Sequence, residues 1–182
     1  MGVGLIPAGG GLKEIAVRAV NNAKGNDCLQ FLKPAITQAA SASVSKSALE
    51  AQEMGYLAPD DIIVFHPYEL LAVAKTTARA MFDAAYRPPL PLPFPVAGRY
   101  GIANVMAQLV NMRDGGFISA HDEKLGATIA SIVCGGDVEP GSLVDEQWLL
   151  DLEREAFMDL LKHPKTQERL VGLMQTGKPV RN

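Results

Sequence analysis

An excess of basic charge is missing from this sequence. Its 17 Lys and Arg stand against 20 Asp and Glu, for a net charge of −3. A nucleic-acid footprint needs Lys and Arg clustered on one face, so that class is excluded as a partner. Long apolar runs are missing too: no stretch reaches the 18 or so residues of a membrane span. Residues 1–30 lack the charged, apolar and cleavage regions of a signal peptide. Cys28 and Cys134 are the only cysteines, too far apart to match a metal spacing, and read as thiols kept reduced in the cytoplasm. Aromatic residues are scarce, at 6%, while alanine is abundant, which suits closely packed helices.

What is present begins with Gly2-Val-Gly-Leu-Ile-Pro-Ala-Gly-Gly-Gly11. Leu12, Ile15, Ala16, Ala19 and Val20 follow at i, i+3, i+4, i+7 and i+8, so the glycines open a helix over 12–23. A glycine-rich turn at a helix start can hold phosphate, because free N–H groups and the positive dipole end point outward there. This turn lacks the Gly-Lys-Ser/Thr ending of a P-loop, since Leu12 follows Gly11. Gly4 to Gly9 is too wide for a dinucleotide fingerprint, and Pro7 sits inside it. Gly4, Pro7, Gly10 and Gly11 therefore read as a packing turn.

Asp27 can cap a second helix carrying Leu29, Leu32 and Ile36, with Pro34 expected to kink or break it. Ser47 and Glu50 form a capping box closed by Gly55. Ile62–Phe65 reads as a short extended segment. A long helix over 67–86 follows, with Leu70, Ala74, Thr77, Met81 and Ala84 as its packed face and Pro67 in its first turn. Residues 87–98, with five prolines between Pro88 and Pro95, read as a stiff connector across the surface. Beyond it the pattern is all helix: 100–113, then a helix started by Ser119 and Asp122, then 145–162, apolar on two sides. The last helix starts at Pro164 and Thr166, with Leu170, Leu173 and Met174 as its face, and stops at Gly177. The expected class is mainly α with at most one or two short strands. The expected domains are a core remnant over 1–86, the connector at 87–98 and a helical layer over 99–182.

No catalytic constellation stands out. His66, His121 and His163 have no partners at metal-ligand spacing, and His163 at a helix end is placed to favour a cation through the dipole. Serines 41–47 lack a positioned base. On a helical wheel Glu153 falls between Leu149, Phe157 and Leu160, so it is expected to pair with an Arg or Lys at a layer contact.

Several stretches nevertheless resemble the latter part of an enoyl-CoA hydratase/isomerase (crotonase-like) α/β domain. Gly4-Leu-Ile-Pro7-Ala-Gly-Gly10-Gly11 is similar to its Gly-x-x-Pro-Gly-x-Gly-Gly turn, and Ser47-Ala48-x-x-Ala51-x-x-x-Gly55 to a following helix. Tyr86-Arg-Pro-Pro89, Gly116-Phe-Ile-Ser-x-His-Asp122, the block Val144–Phe157 and the final Gly177-Lys-Pro-Val-Arg-Asn182 resemble bacterial multifunctional 3-hydroxyacyl-CoA dehydrogenases. The resemblance implies the C-terminal portion of a fatty-acid β-oxidation enzyme. NAD and acyl-CoA are implied for the full-length family, with no cofactor bound by this chain. The acid/base glutamates, the oxyanion hole and the nicotinamide domain would lie ahead of Met1, so the chain itself would carry no catalytic residue. It would supply scaffold and homo-oligomer contacts, with Lys178 at the edge of a CoA site. The alternative expectation is a stand-alone helical interaction module.

Overall fold

The computed structural model describes residues 2–25 and 27–182. They form a mainly helical protein with one two-stranded sheet. Two compact units are distinguished: Met1–Ser43 with Pro91–Asn182, and Val44–Leu90. The unit boundary at 90/91 falls within the proline-rich stretch.

The larger unit is built on α6 (Ala120–Val133). Its buried residues Leu125, Gly126, Ile129, Ala130, Ile132 and Val133 run around more than one face, and the helix packs on four others. These are α1 (Gly11–Ala23), α2 (Leu29–Ser41), α5 (Gly98–Asp114) and α7 (Glu146–Lys162). The helix expected over 145–162, apolar on two sides, is covered by more than one neighbour: α7 packs on α1 as well as α6, burying Leu149, Glu153 and Leu160, while Trp148 is exposed. The small residues of α6, Gly126, Ala127 and Ala130, admit neighbours on several sides. A Cβ on Gly126 would stand 2.8 Å from a Leu109 methyl, so α5 and α6 meet closely there.

The apolar stripes of α1 and α5 face this core through Leu12, Ala16 and Ala19 and through Val105 and Leu109. Asp27 Oδ1 accepts from Leu29 N at 3.0 Å and begins α2. Pro34 does not break α2, which runs on to Ser41. Helix α8 (Pro164–Thr176) differs from its expected face: Thr166 and Arg169 are buried, whereas Met174 is exposed. The polar residues go inside because each finds partners there, as described below.

Strands form away from the expected place. Ile62–Phe65 is not in a strand; β1 is Phe94–Pro95 and pairs antiparallel with β2, Leu143–Val144, in the register Phe94 to Val144 and Pro95 to Leu143. The far end of the proline-rich stretch therefore leaves the surface, and Phe94, Val96 and Ala97 join the core. Pro95 is tolerated because a two-stranded ladder leaves every strand an edge.

In the smaller unit, α3 (Ala48–Glu53) is capped by Ser47, whose side chain accepts from Glu50 N. Glu50 returns its bond to Lys46 N, one residue before the expected position. A 3₁₀ turn over Pro67–Glu69 leads into α4 (Leu70–Asp83). The expected packed face of α4 is not packed: the helix has no buried residue, and Leu70 is 58% exposed. No helix among the described residues is long and apolar enough to cross a membrane.

Candidate functional site

The glycine turn is the first place to look for a ligand. Gly10, at φ 90°, precedes α1 and offers no side chain to its free N–H groups. Two of those groups are already occupied. Glu153 of α7 is fully buried and accepts from Gly10 N at 2.8 Å through Oε2 and from Lys13 N at 2.5 Å through Oε1. A carboxylate at a helix N-terminus satisfies two orphan donors and opposes the positive dipole end. The expected Arg or Lys partner of Glu153 is thus replaced by backbone. The Lys13 ammonium turns elsewhere, to Glu14 and Glu146, each at 2.7 Å. The turn does not fit a dinucleotide pyrophosphate, because Glu153 takes two of the donors a phosphate would use and sets its own carboxylate where the phosphate would sit. Pro7 and Gly11 are exposed and close the turn, a Cβ on Gly11 lying 3.5 Å from Pro7 Cβ.

A second junction joins Gly4 to α6 and α8. Thr166 Oγ1 donates to the Gly4 carbonyl at 2.8 Å, and His121 Nε2 lies 3.0 Å from the same hydroxyl. Since the hydroxyl proton is spent on Gly4, Nε2 carries the hydrogen and donates to Thr166. His121 is 2% exposed, its Nδ1 has no partner, and its ring stacks on His163 at 4.7 Å. Burial above all, then the Arg169 charge and His163, pulls the His121 pKa down to about 4. It is therefore a neutral packing residue at physiological pH. His163 caps α8, its Nδ1 accepting from Lys165 N at 3.3 Å. Cys134, fully buried at the end of α6, has its thiol pushed up to about 12 by burial.

The third feature is a cavity of about 590 Å³ in the larger unit. Asp122 and Gly126 of α6 are on its floor. Ile36 and Ala40 of α2 form one wall, Val105, Leu109 and Met112 of α5 the other, and Pro179–Arg181 close one end. At one edge Arg169, 1% exposed, donates through Nη1 to Asp122 Oδ1 at 2.7 Å and through Nε to Asn182 Oδ1 at 2.8 Å. The Arg169 charge holds the Asp122 carboxyl below its usual range against the opposing effect of burial. Asn182 also donates to Lys165 O at 3.0 Å and Glu168 Oε2 at 2.8 Å, which pins the tail along α8. Gly172 makes room for it, since a Cβ there would stand 2.3 Å from Val180 Cγ2.

Of the residues singled out by sequence, Gly4 and Gly10 meet buried polar partners, and Lys178 stands exposed just before the tail that closes the cavity. Arg169, Thr166 and the cavity were not foreseen. Arg169 sits in an ordinary Glu-Arg-Leu helical run, and nothing local marks it as buried. No group of three or more His, Cys, Asp or Glu that could hold a metal ion occurs among the described residues.

Comparison with known proteins gives one long alignment. The chain is 39% identical over 181 residues, its whole length, to the probable 3-hydroxyacyl-CoA dehydrogenase of Bacillus subtilis (strain 168). It spans 23% of that protein's length. No family profile matches the chain, and no solved structure matches it.

Proposed function

We propose that this chain is the C-terminal portion of a 3-hydroxyacyl-CoA dehydrogenase of fatty-acid β-oxidation, from its crotonase-like region. In this reading it supplies scaffold and subunit contacts, and the acid, base and oxyanion groups lie in the rest of the longer protein. The carrying observation is the 39% identity across the whole chain to a dehydrogenase about four times as long. The buried ionisable groups support it: Glu153 caps a helix, Asp122 pairs with Arg169, and neutral His121 anchors Thr166. A hydratase needs donors aimed at a thioester oxygen and carboxylates to move water's protons. A dehydrogenase needs a dinucleotide cradle, and the glycine-rich turn before α1 gives two of its donors to Glu153. NAD and acyl-CoA are therefore ligands of the longer, cytoplasmic protein. Exposed Lys178 reaches the CoA edge, and homo-oligomer contacts cover apolar surface such as Leu70, Leu71 and Phe82 of α4.

The exposed face of α4 also favours a second reading, a helical interaction module without enzymatic activity. Steady-state assays separate the proposal from its failure. The purified chain is expected to neither hydrate crotonyl-CoA nor reduce acetoacetyl-CoA with NADH. Joined to the preceding region of the longer protein, a Lys178→Ala variant should raise KM for acyl-CoA with kcat unchanged. Turnover by the isolated chain at an ordinary enzymatic rate would sink the scaffold assignment. An unchanged KM would remove Lys178 from the CoA site.

A further inference from the structure

The cavity between α2 and α5 is not used by the function proposed above, and its chemistry is uneven in an informative way. Its volume, about 590 Å³, lies within the range of about 300–1,000 Å³ common for small-ligand pockets. The walls are aliphatic, from Ile36, Val105, Leu109 and Met112. The two charges at its inner edge cancel, because Asp122 Oδ1 receives Arg169 Nη1 at 2.7 Å. The second Asp122 oxygen accepts from Ser119 N at 3.2 Å. Arg181 is different. It lines the cavity, is exposed, and has neither a salt bridge nor a hydrogen-bond partner among the described residues. The backbone that carries it is anchored on one side, because the next residue, Asn182, is bonded to Arg169, Lys165 and Glu168.

An apolar interior with one unpaired guanidinium at its edge has an amphiphilic anion as its complement. We propose that this cavity binds an aliphatic carboxylate of medium chain length, its tail between α2 and α5 and its head group on Arg181. The assignment is independent of the dehydrogenase reading, since neither catalytic turnover nor a CoA group enters the argument. A free acid is favoured over a thioester because a carboxylate matches the guanidinium fork in two hydrogen bonds. A thioester carbonyl offers a single neutral acceptor.

The test is isothermal titration of the 182-residue chain with butyrate, octanoate, octanol and octanoyl-CoA. Burial of aliphatic chain gives up to about fourfold in affinity per methylene, so octanoate should bind at least about tenfold tighter than butyrate. Octanoate should also exceed octanol, and Arg181→Ala should weaken octanoate by about tenfold while leaving octanol unchanged. Ala40→Phe, which fills the cavity, and Thr37→Trp, at an exposed rim position, should each abolish binding of both. Circular dichroism verifies that the variants fold, and the Met112 methyl resonance should shift with octanoate in the parent chain. Equal affinity for butyrate and octanoate, or octanoate binding indifferent to Arg181→Ala, overturns the proposal. So does undiminished binding in a folded Thr37→Trp variant. Octanoyl-CoA binding tighter than octanoate would assign the cavity to an acyl thioester and overturn the free-acid assignment.

Discussion

His121 offers a stability effect whose sign and size both follow from its surroundings. The ring is 2% exposed, donates from Nε2 to Thr166 and leaves Nδ1 without a partner. A proton added at Nδ1 would be a buried charge beside the Arg169 guanidinium, with no acceptor to receive it. Its pKa accordingly falls from 6.5 to about 4. In the unfolded chain the ring protonates near pH 6.5, so between pH 6.5 and 4 the unfolded state binds a proton that the folded state does not. The contribution is fully present above pH 6.5 and is lost as the pH falls through the folded pKa. Each pH unit inside the window is worth about 1.4 kcal/mol, so roughly 2 kcal/mol disappears between pH 7 and pH 5. Urea unfolding of the parent and a His121→Gln variant at pH 7, 6 and 5 measures this, with other acids common to both chains. Gln cannot titrate, so the parent's advantage should shrink by about 2 kcal/mol toward pH 5. A gap constant to within about 0.5 kcal/mol over that range would refute the buried-neutral reading.

Four further outcomes follow from the local geometry. Glu153→Gln keeps the shape but leaves only one acceptor for two buried N–H groups, so urea unfolding should show a loss of about 2 kcal/mol. A loss under about 0.5 kcal/mol would mean that α1 is capped by something else. Gly4→Ala should destabilise by about 2 kcal/mol or more, because Gly4 has φ 77° and a Cβ would stand 2.9 Å from Thr166 Cα. Gly9→Ala meets nothing within 4 Å and should change stability by less than about 0.5 kcal/mol, both glycine variants being measured by urea unfolding. Gly172→Ala should favour the helix by up to about 1 kcal/mol, yet its Cβ would collide with Val180. Faster amide exchange over residues 178–182 is the expected readout, and unchanged exchange would show that the tail does not depend on that seat.

Periodicity made the helices of the larger unit legible because their stripes face a common core. Leu12, Ala16 and Ala19 of α1, and Leu125, Ile129 and Ile132 of α6, are buried where the pattern puts them. Local caps were legible for the same reason that they are local: Ser119 and Asp122 satisfy each other within one turn. Two kinds of feature were not readable. The paired segments Phe94–Pro95 and Leu143–Val144 are two residues each, too short to show alternation, and one carries a proline. Polar interiors also escaped, since α8 buries Thr166 and Arg169 against partners that lie far away in sequence. Glu153 shows both sides: the helical wheel places it inside, but its partners are backbone groups 140 and 143 residues away.

That long-range bond also changes what the glycine turn means. A glycine-rich helix start does attract an anion here, as helix electrostatics requires, but the anion is a side chain of α7. Glu153 belongs to the Val144–Phe157 block, and the Gly4–Gly11 turn is what it caps. Thr166, from the segment that opens α8, reaches the Gly4 carbonyl and orders His121 of the Gly116–Asp122 stretch. The Gly4–Gly11 turn is thus bonded to the Val144–Phe157 block at one junction and, through Thr166, to the Gly116–Asp122 stretch at another. Their residue types are demanded by packing: a glycine where Thr166 comes within 2.9 Å of a would-be Cβ, and a carboxylate where two buried N–H groups converge. Packing alone therefore accounts for these residue types. The same reasoning separates the cavity from these junctions, because Arg181 is a charge that the packing leaves unspent.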